Sequence, residues 1–287
     1  MKKNEYGLEP IQNAVLDIYK EVAKICAAHG LRHYAAYGTC LGAVRHSGFI
    51  PWDDDFDIMM PRPDYEKFFK IADSELPPHL RTITLDNTKE YGLTFNKVQD
   101  CRVDFLRDVE CRAGQKLPQG LFVDVFPLDG VISNSFWKAM RRLHSLLFYV
   151  RRKYVLGEGE YKSYSAKMGG LCAICAASLF RGLLTARDFA AYQAELLRKP
   201  EYEKSRFVAW CRTECFDSYL NRALPKTYLG SPKMLPFEDV SIPVPEDFDK
   251  YLTLLYSDYM AFPPEEERHP KHEICSIAPW LAGPTGL

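Results

Sequence analysis

The chain has 287 residues, enough for one large core or for one core with a helical appendage. Its hydrophobic content of 47% and charged content of 26% are those of an ordinary globular protein. The net charge of −1 speaks against general nucleic-acid binding, which calls for a basic domain.

The opening MKKNEYGLEPIQNAV has two lysines but lacks the apolar segment of a signal peptide. The longest weakly polar run, Gly169 to Phe180, is 12 residues, too short to cross a bilayer. A cytoplasmic protein is expected, with any membrane contact at the inner face of the plasma membrane. Nine cysteines, an odd number with no secretion signal, are expected as reduced thiols. The pairs Cys172/Cys175 and Cys211/Cys215 come without the ordered histidines of a zinc knuckle.

In chain order, apolar positions Ile11, Val15, Ile18, Val22, Ile25 and Cys26 recur at spacings of 3 and 4, which predicts an amphipathic helix over 8–29 that Gly30 stops. A short strand over 33–37 leads to Gly38-Thr39 and a helix over 39–46, with Thr39 placed as its N-cap. A helix N-terminus offers unsatisfied N–H groups and a positive dipole end, so Gly38 and Thr39 are a candidate phosphate seat, with Arg45 close by in sequence to offset charge.

Four aspartates then fall within five positions, Asp53, Asp54, Asp55 and Asp57, among apolar residues. From Asp55 the alternation predicts a strand with Asp55 and Asp57 on one face. Two carboxylates so close repel unless a cation joins them, and an all-oxygen site suits Mg²⁺ or Mn²⁺. An EF-hand is excluded: its glycine position is Ile58, its closing glutamate position is Asp64, and Pro61 and Pro63 break the loop.

Beyond a helix over 63–72, residues 80–129 read as strands at 81–85, 93–98, 103–105 and 121–126. The last is an apolar run interrupted by Asp124, then a turn that Asp129 shapes. A carboxylate inside such a run is costly to bury, so Asp124 either points outward from an edge or joins Asp55 and Asp57 at the metals. Residues 133–205 read as helical and basic, with ten Lys/Arg between Ser133 and Arg187. Arg141, Arg142, Arg151, Arg152 and Lys153 are the densest group, either a solvated face or a contact for an anionic membrane surface. A hairpin or loop edge is expected near 237–246 and a helix over 249–256.

The stretch YGTCLGAVRHSGFIPWDDDFDIMMPRPDYEKF, residues 37–68, resembles the signature of the LicD family of phosphotransferases, which is similar in turn to the fukutin-related proteins. FVDVFPLDG, residues 122–130, resembles the family's next block, and Ser257–Met260, Pro263-Pro264 and Arg268–His272 its closing one. Asp239 and Ser257 stand where the family usually has glycine. The likeness covers 33–130 and 236–272 well and the middle poorly.

It implies a polymerase-β-like nucleotidyltransferase core; together with the element pattern and composition this predicts an α+β fold with that core and its mixed sheet over 1–132, a basic helical insertion over 133–205, and a C-terminal part over 206–287 packing back on the core. It implies transfer of a phospho-alcohol, phosphocholine first, from a CDP-linked donor such as CDP-choline to a hydroxyl of a cell-surface glycan or its lipid-linked precursor. Asp55, Asp57 and Asp124 would hold two Mg²⁺ or Mn²⁺ ions, with Asp124 a ligand or the acceptor's base and Asp53 and Asp54 supporting them. Gly38, Thr39, Arg45 and Lys97 would meet the donor phosphates, and Trp52 or Tyr37 would stack on the base. Rival readings are a nucleotidyltransferase that releases pyrophosphate, a D-x-D glycosyltransferase, and a non-catalytic binding protein.

Overall fold

The computed structural model describes residues 6–88, 91, 93–102, 120–131, 191, 195, 198, 201–209 and 223–270. The strand expected at 103–105, nearly all of the basic region 133–205 and the zinc-type cysteine pairs lie outside them.

The described residues form an α+β structure around one mixed sheet. Helix α1, Glu9–His29, buries Ile11, Val15, Ile18, Val22, Ile25 and Cys26 as its periodicity predicts. It ends at Gly30, which takes the left-handed conformation (φ 61°) that glycine enters without steric cost. Strand β1 is Tyr34–Ala35, helix α2 Tyr37–His46, strand β2 Asp57–Pro61 and helix α3 Arg62–Glu75. Strands β3, Leu80–Ile83, β4, Asn96–Asp100, and β5, Phe122–Gly130, follow. Short strands β6, Phe207–Ala209, and β7, Leu224–Pro225, precede a hairpin of β8, Lys233–Phe237, and β9, Val240–Val244, and then helix α4, Phe248–Tyr256.

The main sheet has the order β1-β2-β5-β4-β3, with β6 on the far end of β5 and β7 on β6. Among the described strands only β2 and β5 run parallel. Strand β5 runs on through Pro127 to Gly130, where the sequence suggests a turn. On one edge β4 pairs β5 through Val125 and β6 takes over at Asp129, so Pro127 falls between the two ladders. A proline lacks the N–H a continuous ladder needs, and this gap tolerates it. Asp129 is therefore no turn residue: it is buried, with both carboxylate oxygens on the Arg62 guanidinium at 2.6 and 2.7 Å.

Two other differences concern where the acidic strand and α2 begin. Strand β2 starts at Asp57, leaving Asp55 in the loop before it. Helix α2 starts at Tyr37, two residues earlier than expected, with Ala36 at its N-cap and Thr39 inside its first turn. The earlier start is supplied from afar: the Tyr37 N–H donates to the hydroxyl of Tyr251 on α4 at 3.1 Å.

Beneath the acidic loop lies a packed aromatic group. Phe56 stacks on Tyr19 at 4.4 Å and meets Phe49 and Phe237 edge-on at 5.9 and 5.4 Å. Each such ring contributes a few kcal/mol by burial alone. The β8–β9 turn adds polar fastening, since the Phe49 N–H donates to Glu238 Oε1 and the Glu238 N–H donates to Ser47 O. Among the described residues no helix is long and apolar enough to cross a membrane. Cys26 and Cys40 are buried free thiols and Cys101 an exposed one.

Candidate active site

Strand register decides the centre of the site. Asp57, the first residue of β2, is the pairing partner of Asp124 on parallel β5, and Asp124 is in turn the partner of Lys97 on antiparallel β4. Partners in register project to the same face of a sheet, so two carboxylates and one ammonium stand in a row across three strands. Lys97 Nζ lies 2.9 Å from Asp124 Oδ1, an ion pair with both side chains mostly shielded from solvent. Lys97 apart, Asp124 Oδ1 is buried without a hydrogen-bond partner among the described residues. Lys97 is also drawn onto the Phe122 ring, 3.4 Å from its centroid. The sequence places Lys97 with donor phosphate; the geometry gives it Asp124 first.

Main-chain bonds hold Asp57 firmly. Its N–H donates to Thr39 Oγ1 at 2.8 Å, and its carbonyl accepts from the Ala36 N–H at 2.9 Å. The Thr39 hydroxyl expected to cap its own helix thus ties α2 to the first residue of the acidic strand. Tyr37 takes φ 43° at the helix start, a left-handed conformation that is costly for an aromatic residue. Tyr251, fully buried on α4, supports that bend, and its phenol is held well above the usual tyrosine range by burial. Nothing in the local sequence of α4 singles Tyr251 out, because its partner is more than two hundred residues away.

The remaining acidic residues form a second group. One oxygen from each of Asp53, Asp54 and Asp55 can lie within 4.8 Å of the others, with Asp53 and Asp54 buried and Asp55 partly exposed. Asp53, expected only in support, reaches the N-terminal turn of α2: a Cβ added to Gly38 would stand 2.3 Å from Asp53 Oδ2. The anion that this helix end faces is therefore the protein's own carboxylate, a favourable partner for the helix dipole.

Arg45 lies at the other end of α2, donating from Nη1 to the carbonyls of Tyr259 and Ala261. Trp52 and Tyr37 are largely buried, Trp52 beside Tyr6, His46 and Phe262, and Tyr37 edge-on to Phe126 at 5.3 Å. Burial and the neighbouring Arg45 charge lower the His46 pKa to about 4, leaving a neutral ring that accepts the Arg45 Nε–H.

Comparison with known proteins adds independent findings. The family profile described as "LicD/FKTN/FKRP, nucleotidyltransferase domain" matches residues 30–156. The chain is 27% identical over 267 residues to the lipopolysaccharide cholinephosphotransferase LicD of Haemophilus influenzae, covering 91% of this chain and 94% of that protein. A shorter stretch of 58 residues is 34% identical to an uncharacterized protein of Rickettsia typhi, covering 20% of this chain and 19% of that one. The matched domain runs through the acidic loop, β2, β4 and β5, the elements that build the Asp57–Asp124–Lys97 row, and the long alignment spans nearly the whole of both chains, so residues 30–156 carry a nucleotidyltransferase domain of the LicD/FKTN/FKRP type.

Proposed function

We propose that the protein is an enzyme that transfers a phospho-alcohol, phosphocholine in the first place, from a CDP-linked donor to a hydroxyl of a cell-surface glycan or its lipid-linked precursor. The observation that carries this reading is the register pairing of Asp57 with Asp124, which sets two carboxylates side by side on the central strands of a mixed sheet. The Haemophilus influenzae relative, a lipopolysaccharide cholinephosphotransferase by name, supports the choice of substrate. The sheet with α2 packed at its acidic corner is read as a polymerase-β-like nucleotidyltransferase core, in line with the description of the matched domain.

Every candidate ligand is a carboxylate, which suits hard divalent cations; the fold gathers Asp53, Asp54 and Asp55 within 4.8 Å of one another and sets Asp57 in register with Asp124. Asp55, Asp57 and Asp124 would hold Mg²⁺ or Mn²⁺, with Asp53 and Asp54 beside them. Such ions neutralise phosphoryl oxygens as charge shifts in the transition state. The protein's own groups do the rest. Lys97 balances the paired carboxylates, Thr39 and Ala36 fix the Asp57 backbone, and Asp124 would either complete the second ion's ligands or take the acceptor proton.

The test is to incubate the protein with CDP-choline, CDP-ethanolamine, CDP-glycerol or CDP-ribitol and a glycan acceptor, with and without EDTA. CMP release that is fastest from CDP-choline, lost on chelation and restored by Mg²⁺ or Mn²⁺ is expected. Pyrophosphate release from CTP in its place would establish a nucleotidyltransferase, and activity that survives chelation would remove the metals from the scheme.

A further inference from the structure

The sequence-derived site contains one arginine, Arg45; the fold brings a second to it. Arg45 ends α2, and Arg268 follows the short 3-10 turn Glu265–Glu267. Both guanidinium groups lie against the ring of Phe262, with Cζ 4.6 and 5.5 Å from its centroid, and Arg268 also lies 5.8 Å from the centre of Trp52. Arg45 Nη1 and Nε are engaged by the Tyr259 and Ala261 carbonyls and by His46, and Arg268 Nε by the Pro263 carbonyl. Among the described residues, Arg45 Nη2 and both Nη groups of Arg268 have no acceptor. Nor does either arginine form an ion pair there; Glu265, Glu266 and Glu267 are exposed and make none with them.

Two guanidinium charges thus share one aromatic group with a neutral histidine and, among the described residues, no ion-pair partner. Each works against the other: after burial, the Arg268 charge helps to pull the Arg45 pKa below its ordinary value. Phe262 is itself 47% exposed, so the group is open to a ligand. Trp52 directly precedes the acidic cluster Asp53–Asp55, so the group adjoins the candidate active site.

We propose that Arg45 and Arg268 form a phosphate-binding subsite with Phe262 as its aromatic wall, distinct from the carboxylate row. Planar guanidinium forks match phosphate oxygens, and two of them answer a doubly charged group. The phosphate comes either from the diphosphate of a nucleotide-linked donor or from a phosphorylated acceptor sugar. Naming these two sources rests on the phosphotransferase reading; the anion site itself does not.

The experiment is calorimetric titration of the full chain and of Arg268→Gln and Arg268→Lys variants, in EDTA at low salt, with CDP and with glucose 6-phosphate as probes. Arg268→Gln is expected to weaken one probe about tenfold and to flatten its salt dependence, with Arg268→Lys in between. A loss confined to CDP assigns the donor, and a loss confined to the sugar phosphate assigns the acceptor. Thermal melting checks that the variants fold; among the described residues Arg268 bonds one carbonyl, so little change is expected. Equal affinity of wild type and Arg268→Gln for both probes, or binding of neither by wild type, would overturn the subsite. Arg268-dependent binding without CMP release from any CDP-alcohol would instead overturn the transferase reading and leave the subsite standing.

Discussion

Strand β5 carries two aspartates five positions apart that have opposite fates. Asp129 is 1% exposed, and the Arg62 guanidinium satisfies both its oxygens in a bidentate pair. Burial works against the Arg62 charge, yet Asp129 outweighs it and the arginine holds its proton more firmly than in water. Among the described residues Asp124 meets a single ammonium, that of Lys97, on Oδ1, which has no further hydrogen bond, and it stands in register with a second carboxylate. A buried charge whose every acceptor is filled has nothing left for a ligand. The lesson is that burial of a carboxylate does not mark function; unfilled bonding capacity beside a like charge does.

That contrast can be broken by mutation. Asp57→Asn and Asp124→Asn are expected to lower kcat by about a thousandfold, roughly 4 kcal/mol in the barrier, in variants that remain folded. Either variant retaining more than about a tenth of wild-type turnover would deny its carboxylate a role in catalysis. Arg62→Ala or Asp129→Ala should do the reverse. Each strands a buried charge, so urea unfolding should show a loss of about 3–5 kcal/mol while the folded fraction keeps its turnover. Full stability in those variants would mean that the Arg62–Asp129 pair is not the lock described.

Gly38→Ala sharpens the comparison at the other acidic group. The added methyl would meet Asp53 Oδ2 at 2.3 Å, so the carboxylate must move, at a cost of about 1–3 kcal/mol. Activity should fall further than stability, because Asp53 belongs to the cluster with Asp54 and Asp55. Unchanged kinetics in a folded variant would show that this cluster is only structural.

The smallest effect is a pH control at a residue that pairs with neither β5 aspartate. Burial lowers the His33 pKa to about 4 from 6.5, and its Nε2 pairs with the Tyr19 hydroxyl at 3.1 Å. The unfolded chain takes up a proton first as pH falls. The stabilising contribution is therefore complete above pH 6.5 and is lost progressively between pH 6.5 and 4, by at most about 3 kcal/mol. Denaturation at pH 7 and pH 5 should show the loss, and His33→Gln should remove most of it. A pH dependence that His33→Gln leaves intact would place the sensitive group elsewhere.

Much of the local structure was legible before any coordinates. Helix α1 buries the residues its spacing selects, and the acidic run with its apolar neighbours marks the working end of the chain. The likeness over 37–68 also named the family that the comparisons identify. What misled were residues whose role depends on a distant partner. Thr39 reads as a helix cap from its neighbours, yet its hydroxyl serves the Asp57 backbone. Asp129 reads as a turn residue after Pro127, yet Arg62 makes its burial affordable and the strand continues.

The sequence alone determined the amphipathic helix, the chemical type of the acidic cluster and the likeness to the LicD domain, because periodicity, composition and motif spacing are local properties of the chain. Only the tertiary structure decided that Asp57 faces Asp124 and Lys97, that Tyr251 supports the bend at Tyr37, and that Arg268 joins Arg45 at Phe262. The reason is that strand register and long-range side-chain contacts are set by which apolar faces pack together, and a one-residue slip of β5 would turn Asp124 to the opposite face.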